Sequence, residues 1–219
     1  MFCGQLIAHH VPSLHLHDRV SYALEQMADL KVSHLPVVSE EKYIGLVSED
    51  DLLEGNENTL LESLVQVFGR PFVRFNDHFL MAAKVMVAMN TDIIPVLNET
   101  DELEGVITGD ELARQLSLFT GSDQEGSLIV LEMERKAYAF GEINRLVESN
   151  DALITQINTS LDPATQLLVV TLRINKNEVS DVVATLQRHE YIVKYYHGEE
   201  AYRNELQSNL EHLMNYLSI

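Results

Sequence analysis

Two short stretches carry hydroxyl and carboxylate side chains at a spacing that could do chemistry: Ser48-Glu49-Asp50-Asp51 and Thr108-Gly109-Asp110-Glu111. Each follows a short apolar run and precedes a helical pattern, so each is a strand-to-helix turn. A hydroxyl three residues before a carboxylate at a helix start is also a capping box, which satisfies backbone N–H groups that the first turn leaves without partners. Glu111 has the residue type usual for capping, whereas Asp51 is open to capping or to a ligand. His9, His10, His15 and His17, with Cys3 nearby, are the other group that could be reactive. Their spacing argues against a metal, because His15 and His17 alternate with Leu14 and Leu16 as the polar side of a strand. Met81, Met86 and Met89 read as core filler. The sequence contains no Gly-x-Ser-x-Gly elbow, no phosphate-binding glycine loop and no Cys or His pair at zinc spacing. The expectation is a protein without catalytic, metal or cofactor machinery.

The two turns are copies of each other. The segment 11–53 recurs at 70–113, offset by fifty-nine or sixty positions, with Asp18, Ala23, Leu35-Pro36-Val37 and Gly45-Leu46-Val47-Ser48 matching Asp77, Ala82, Ile94-Pro95-Val96 and Gly105-Val106-Ile107-Thr108. A period this long is a duplicated supersecondary unit. In each copy an Asp placed to cap precedes a helix, with core faces Val20, Ala23, Leu24, Met27 and Phe79, Ala82, Ala83, Met86. Two short strands follow, Leu35–Val38 and Tyr43–Val47, then Ile93–Leu97 and Leu103–Ile107, joined by polar hairpin connections that predict antiparallel pairing. Between the copies, Leu60, Leu61, Leu64, Val65 and Phe68 predict a short connecting helix.

Composition limits the partners. Thirty-four acidic against 15 basic residues give a formal charge of -19, which excludes nucleic acid and anionic membrane surfaces as natural partners, since both need concentrated Lys and Arg. One cysteine and no apolar run of membrane-spanning length imply a reducing cytoplasm and a chain that is not membrane-bound.

The Leu35-Pro36-Val37-Val38 strand, followed ten residues on by Gly45-Leu46-Val47-Ser48-Glu49-Asp50-Asp51-Leu52, resembles a CBS domain. Its recurrence resembles a tandem CBS pair, or Bateman module, over roughly half the chain. The resemblance implies a regulatory protein with an adenosine-containing ligand in the cleft between the copies. It also implies a turn Asp that holds the ribose hydroxyls, and backbone groups before the Pro that contact the base. Carried onto this chain, the ribose turns are Ser48 with Asp51 and Thr108 with Glu111, the second departing from the family's Asp. The base edges are Val32, Ser33 and His34 before Pro36, and Thr91, Asp92 and Ile93 before Pro95. Glu49 and Asp50 beside Asp51, with Glu104 and Asp110 beside the second turn, disfavour a bare phosphate. Like charges about 4 Å apart near a surface repel by up to about 4 kcal/mol before screening. Adenosine, S-adenosylmethionine or a metal-bound adenine nucleotide are therefore expected over free AMP or ATP.

Thr120–Ser127 holds two glycines and no apolar residue, and reads as a linker. Beyond it come strand Leu128–Met133, a helix with stripe Phe140, Ile143, Leu146 and Val147, and strands Ile154–Thr159 and Gln166–Ile174. A helix capped by Asn177 with core face Val179, Val182, Val183 and Leu186 follows, then strand Tyr191–Tyr196. That order is ferredoxin-like and its architecture resembles an ACT domain. Gly141 stands where that family's ligand turn has a glycine, but the accompanying Asp and Pro are missing, leaving an amino-acid site or a dimerisation platform open. Tyr202, Leu206, Leu210, Leu213 and Leu217 predict a C-terminal amphipathic helix over 199–219. The expected layout is α+β: CBS domains over 9–58 and 59–119, a linker over 120–127, and an ACT-like domain over 128–198. The order resembles acetoin-utilisation-type regulatory proteins. The expected function is a homodimeric sensor acting on an unknown protein target, the alternative a structural adaptor without ligand.

Overall fold

The computed structural model describes residues 1–197, which divide into two compact units, Met1–Ser117 and the residues from Leu118 onward. The predicted C-terminal helix lies outside the described residues. The architecture is α+β.

The first unit is built from the two repeats. The first holds β1 (Leu14–His15), α1 (Val20–Leu30), β2 (His34–Ser39), β3 (Lys42–Ser48) and α2 (Glu49–Leu53). The second holds β4 (Val73–Arg74), α3 (Phe79–Met89), β5 (Ile93–Leu97), β6 (Leu103–Thr108) and α4 (Gly109–Phe119), whose last two residues, Leu118 and Phe119, belong to the second unit. Each makes a three-stranded sheet, β1-β2-β3 and β4-β5-β6, with the first pair parallel and the hairpin antiparallel. Val20, Ala23 and Met27 bury the inner face of α1 against Leu14, Leu35, Val37 and Val47. Phe79, Ala82 and Met86 do the same on Val73, Ile94, Val96 and Ile107. Both helices end on a left-handed residue, Lys31 at φ 57° and Asn90 at φ 52°, which turns the chain directly into the next strand.

Three local expectations are corrected. Asp18 does not cap α1, whose N-cap is Arg19. Its Oδ2 accepts the His15 N–H at 2.7 Å, and Asp77 takes the Arg74 N–H at 2.8 Å in the same way. The duplicated Asp therefore closes the strand-to-helix turn from behind, the local side-chain-to-backbone bonding that Asp favours in turns. The segment between repeats is 3-10 rather than α-helical over Leu61–Val67.

That segment is also half of an exchange. Leu61 and Phe68 lie in the core of the first repeat, and the Leu46 N–H donates to the Gly69 carbonyl at 2.8 Å. Residues before the first repeat complete the second: Cys3 and Leu6, from a 3-10 turn over Cys3–Leu6, lie in its core, and the Ala8 N–H donates to Val106 O at 2.8 Å. Each exchanged segment crosses a glycine. A Cβ on Gly45 would sit 2.8 Å from both Gly69 O and Phe68 Cβ, and one on Gly105 would sit 2.4 Å from Ile7 Cγ2.

The second unit holds β7 (Ser127–Met133), α5 (Phe140–Glu148), β8 (Ile154–Leu161), β9 (Leu168–Ile174), α6 (Ser180–Arg188) and β10 (Ile192–His197). Its sheet has the order β10-β7-β9-β8 with every neighbour antiparallel, the split βαβ topology expected from the element order. Ile143, Leu146 and Val147 of α5 and Val182, Val183 and Leu186 of α6 pack on one face of that sheet. Phe140, predicted in the stripe, is exposed at the start of α5. Asn177 does not cap α6: its carbonyl accepts the Ser127 hydroxyl, and Glu178 Oε1 takes the Ser180 N–H.

Candidate functional site

The leading edges of β2 and β5 meet in the first unit. The Ser33 N–H donates to Asp92 Oδ2 at 2.6 Å, and His34 Nδ1 lies 2.6 Å from Asp92 Oδ1. Ser33 and Asp92 are fifty-nine positions apart and occupy equivalent places in the two repeats. One carboxylate thus ties the pre-strand backbone and first side chain of one repeat to the other. Burial would raise the Asp92 pKa, but the His34 contact, then the Ser33 N–H bond, outweigh it and hold the carboxyl below its usual range.

Each edge is bonded to its own turn. The Glu49 N–H donates to Ser33 O at 2.8 Å and the Gly109 N–H to Asp92 O at 2.9 Å, so both helix starts hang on the residues that meet across the repeats. At the first turn, Ser48 Oγ accepts the Asp51 N–H at 3.1 Å and donates to Asp51 Oδ2 at 2.6 Å. That is a helix cap, and it leaves Asp51 Oδ1 without a bond among the described residues. At the second, Thr108 Oγ1 accepts the Glu111 N–H at 3.3 Å, while the Glu111 carboxylate turns to Arg114 at 3.4 Å.

Val32 and Thr91 direct their N–H groups back to Met27 O and Met86 O, closing the two helix ends. Thr91 Oγ1 is buried with no partner among the described residues, which leaves a hydroxyl unsatisfied beside Asp92. Pro36 and Pro95 are buried within β2 and β5, opposite Leu46 and Val106. Among the predicted positions, Ser33, His34, Ser48, Asp51, Asp92, Thr108 and Glu111 form one bonded chain. Gly141 lies in the second unit as the second residue of α5, with nothing within 4 Å of where a Cβ would project.

Glu49, Asp50 and Asp51 all lie in the first turn of α2, and Asp110 and Glu111 in that of α4. His15 approaches Asp18 at 3.8 Å and His17 approaches Glu62 at 3.7 Å, both at the surface. Burial, with the charge of Asp77 adding to it, pushes the Cys3 thiol up to about 11. It is therefore a protonated core group rather than a nucleophile or metal ligand.

What the sequence did not reveal is that the two segments leading into β2 and β5 touch. The offset makes Ser33 and Asp92 equivalent, but only the fold shows that equivalent positions face each other.

Residues 3–57 match the family model of the CBS domain. Among solved structures the chain is similar to a CBS domain pair/ACT domain protein from Thermotoga maritima, with 18% identity, 54% of this chain and 98% of that one covered, and a TM-score of 0.51. It is also similar to a CBS domain pair solved in complex with 5′-methylthioadenosine and S-adenosyl-L-methionine, with 18% identity, 56% and 98% covered, and a TM-score of 0.45. Among curated proteins, a homoserine O-acetyltransferase from Methanobrevibacter ruminantium is 30% identical over 112 residues. That match covers 50% of this chain and only 23% of the enzyme. No helix among the described residues is long and apolar enough to cross a membrane.

Proposed function

We propose that the first unit is a non-catalytic regulatory module that binds an adenosine-containing ligand between its two repeats and passes the binding event to a protein partner. The observation that carries this reading is the bonded chain from Asp51 through Ser48, Glu49 and Ser33 to Asp92. That chain links the Asp51 carboxylate and the backbone at Ser33 in one continuous frame, which supports the reading. A CBS cleft uses that pair of elements for ribose and base. Asp51 Oδ1 is the acceptor left for a ribose hydroxyl, and Ser48 fixes the carboxylate through Oδ2.

The three carboxylates of the first α2 turn favour a ligand without free phosphate, which selects adenosine, S-adenosylmethionine or a magnesium-bound nucleotide over AMP or ATP alone. Regulation requires that the ligand bind one of two arrangements more tightly than the other. Those arrangements involve a second copy of the module, since α3 leaves Leu80, Met81, Val87 and Met89 exposed, Val87 at 83%, an apolar face suited to self-association. Light scattering that returned a monomer would remove this premise.

The test is calorimetric titration with adenosine, S-adenosylmethionine, AMP and ATP, with and without magnesium, on the native chain and on Asp51→Ala. Micromolar binding weakened roughly tenfold or more in the variant is expected, the loss due to one hydrogen bond to a charged group. A native chain that binds none of the four leaves Ser48 and Asp51 as a helix cap and the protein as a dimeric adaptor. Tighter binding of AMP than of adenosine, without metal, would refute the charge argument alone.

A further inference from the structure

The second unit contains a cavity of about 360 Å³ on the face of its sheet opposite α5 and α6. Its floor is two cross-strand rows: Leu128, Arg173 and Gln156 abreast, then Thr171 beside Asn158. Its wall is the turn that follows α4. The Gln156 side-chain amide donates to Phe119 O, Arg173 Nη2 donates to Gln124 O, and the Gly121 backbone lies over the Arg173 side chain. The cavity lies wholly within this unit, and its volume falls at the small end of ligand pockets, which run about 300–1,000 Å³.

Two features separate it from ordinary surface relief. Arg173 has no carboxylate partner among the described residues although the chain carries 34 acidic residues, and its Nε is buried with no hydrogen bond. No acidic residue lines the cavity. Asn158 and Thr171 stand directly opposite each other, and their side chains spend no hydrogen bond on the described residues. Phe119 and Leu128 supply apolar wall.

We propose that this cavity binds a small organic monocarboxylate with an apolar body: the carboxylate at the Arg173 end, a carbonyl or hydroxyl oxygen toward Asn158 and Thr171, and the hydrocarbon on Leu128 and Phe119. A guanidinium is the residue of choice for a carboxylate. The lining offers no anion to an ammonium, so a 2-oxo or 2-hydroxy acid fits and a zwitterionic amino acid does not. The site is separate from Gly141, which lies across the sheet on the helix side, and it does not depend on the adenosine reading of the first unit.

The experiment is a titration of the full ¹⁵N-labelled chain with 4-methyl-2-oxopentanoate, L-leucine and L-leucinamide, following the Asn158 side-chain amide and the Arg173 Nε–H. Saturable shifts at both groups with the oxo acid are expected, with leucine at least about tenfold weaker and leucinamide without effect. Arg173→Gln should weaken oxo-acid binding by about tenfold or more. Asn158→Leu, on an exposed strand position that leaves the turn intact, should weaken it without altering the melting temperature. Absence of saturable shifts with the oxo acid, equal binding of leucinamide, or unchanged affinity in both variants would overturn the proposal.

Discussion

Replacing Asp92 by Ala removes the only side chain that bonds the leading edges of β2 and β5 together among the described residues. Two contacts are lost, the Ser33 N–H at 2.6 Å and His34 Nδ1 at 2.6 Å. A hydrogen bond to a charged group contributes about 1.5–3 kcal/mol when shielded from water. Asp92 has 38% of its side chain in solvent, so screening brings each contact to about 1 kcal/mol and the variant's loss to about 2 kcal/mol at neutral pH. In a unit of this size that lowers the melting temperature by roughly 6–10 °C. The pH dependence separates this cause from a simple packing defect. The Asp92 carboxyl titrates below its unfolded value of about 3.9. Its stabilisation is thus complete above that value and is lost as pH falls through the lower folded one. Urea unfolding of both proteins between pH 7 and pH 3 should therefore show a constant gap down to about pH 5, which narrows below about pH 4. Asp92→Asn, which keeps an acceptor for Ser33, should fall between the two. A gap below about 0.3 kcal/mol at pH 7, or one that persists unchanged at pH 3, would refute the tie.

Two further outcomes follow from local geometry. Gly45→Ala puts a methyl 2.8 Å from a backbone oxygen and from Phe68 Cβ, so it should cost about 1–3 kcal/mol by overpacking, whereas Gly55→Ala, facing only Leu52 O at 3.4 Å, should leave the melting temperature of the first unit within about a degree. Thr91→Val removes a buried hydroxyl that has no partner at nearly constant shape; it should be neutral or stabilising in thermal melts, and a drop in adenosine affinity would assign that hydroxyl to the ligand.

Both repeats are legible because the hydrophobic period changes from helical to alternating at matched positions. The ferredoxin-like order of the second unit is legible for the same reason: Val182, Val183 and Leu186 fall on one helical face and all are buried. What stays hidden is long-range. Cys3–Leu6 and Leu61–Val67 form equivalent 3-10 turns, yet they share too little sequence for the repeat to be extended over them, and each is buried by the repeat it does not precede. Caps are misread where two polar groups compete: Asp18 reaches back to His15 rather than forward into α1, and Glu178 rather than Asn177 serves α6. Of the candidate site, the turn and edge residues follow from the motif, whereas the Ser33–Asp92 bond depends on how two sheets approach.

The exchange of segments constrains how a signal can leave the first unit. Each repeat's core is completed by a segment leading into the other, and the crossings are fixed by backbone hydrogen bonds, Leu46 N–H to Gly69 O and Ala8 N–H to Val106 O, both at 2.8 Å. Opening a hinge between the repeats would pull Leu61 and Phe68 from one core or Cys3 and Leu6 from the other. Exposing even two such side chains costs about 3–6 kcal/mol, more than the typical coupling of about 1–3 kcal/mol between allosteric sites. On the proposed reading, a ligand between the repeats would therefore act on a body that does not open. Its point of contact would be the helix starts at Glu49 and Gly109, which hang on Ser33 and Asp92. Leu52 of α2 and Leu112 of α4 lie in those same cores, so on the proposed reading the arrangements a ligand would select are packings of whole modules on one another or on a partner.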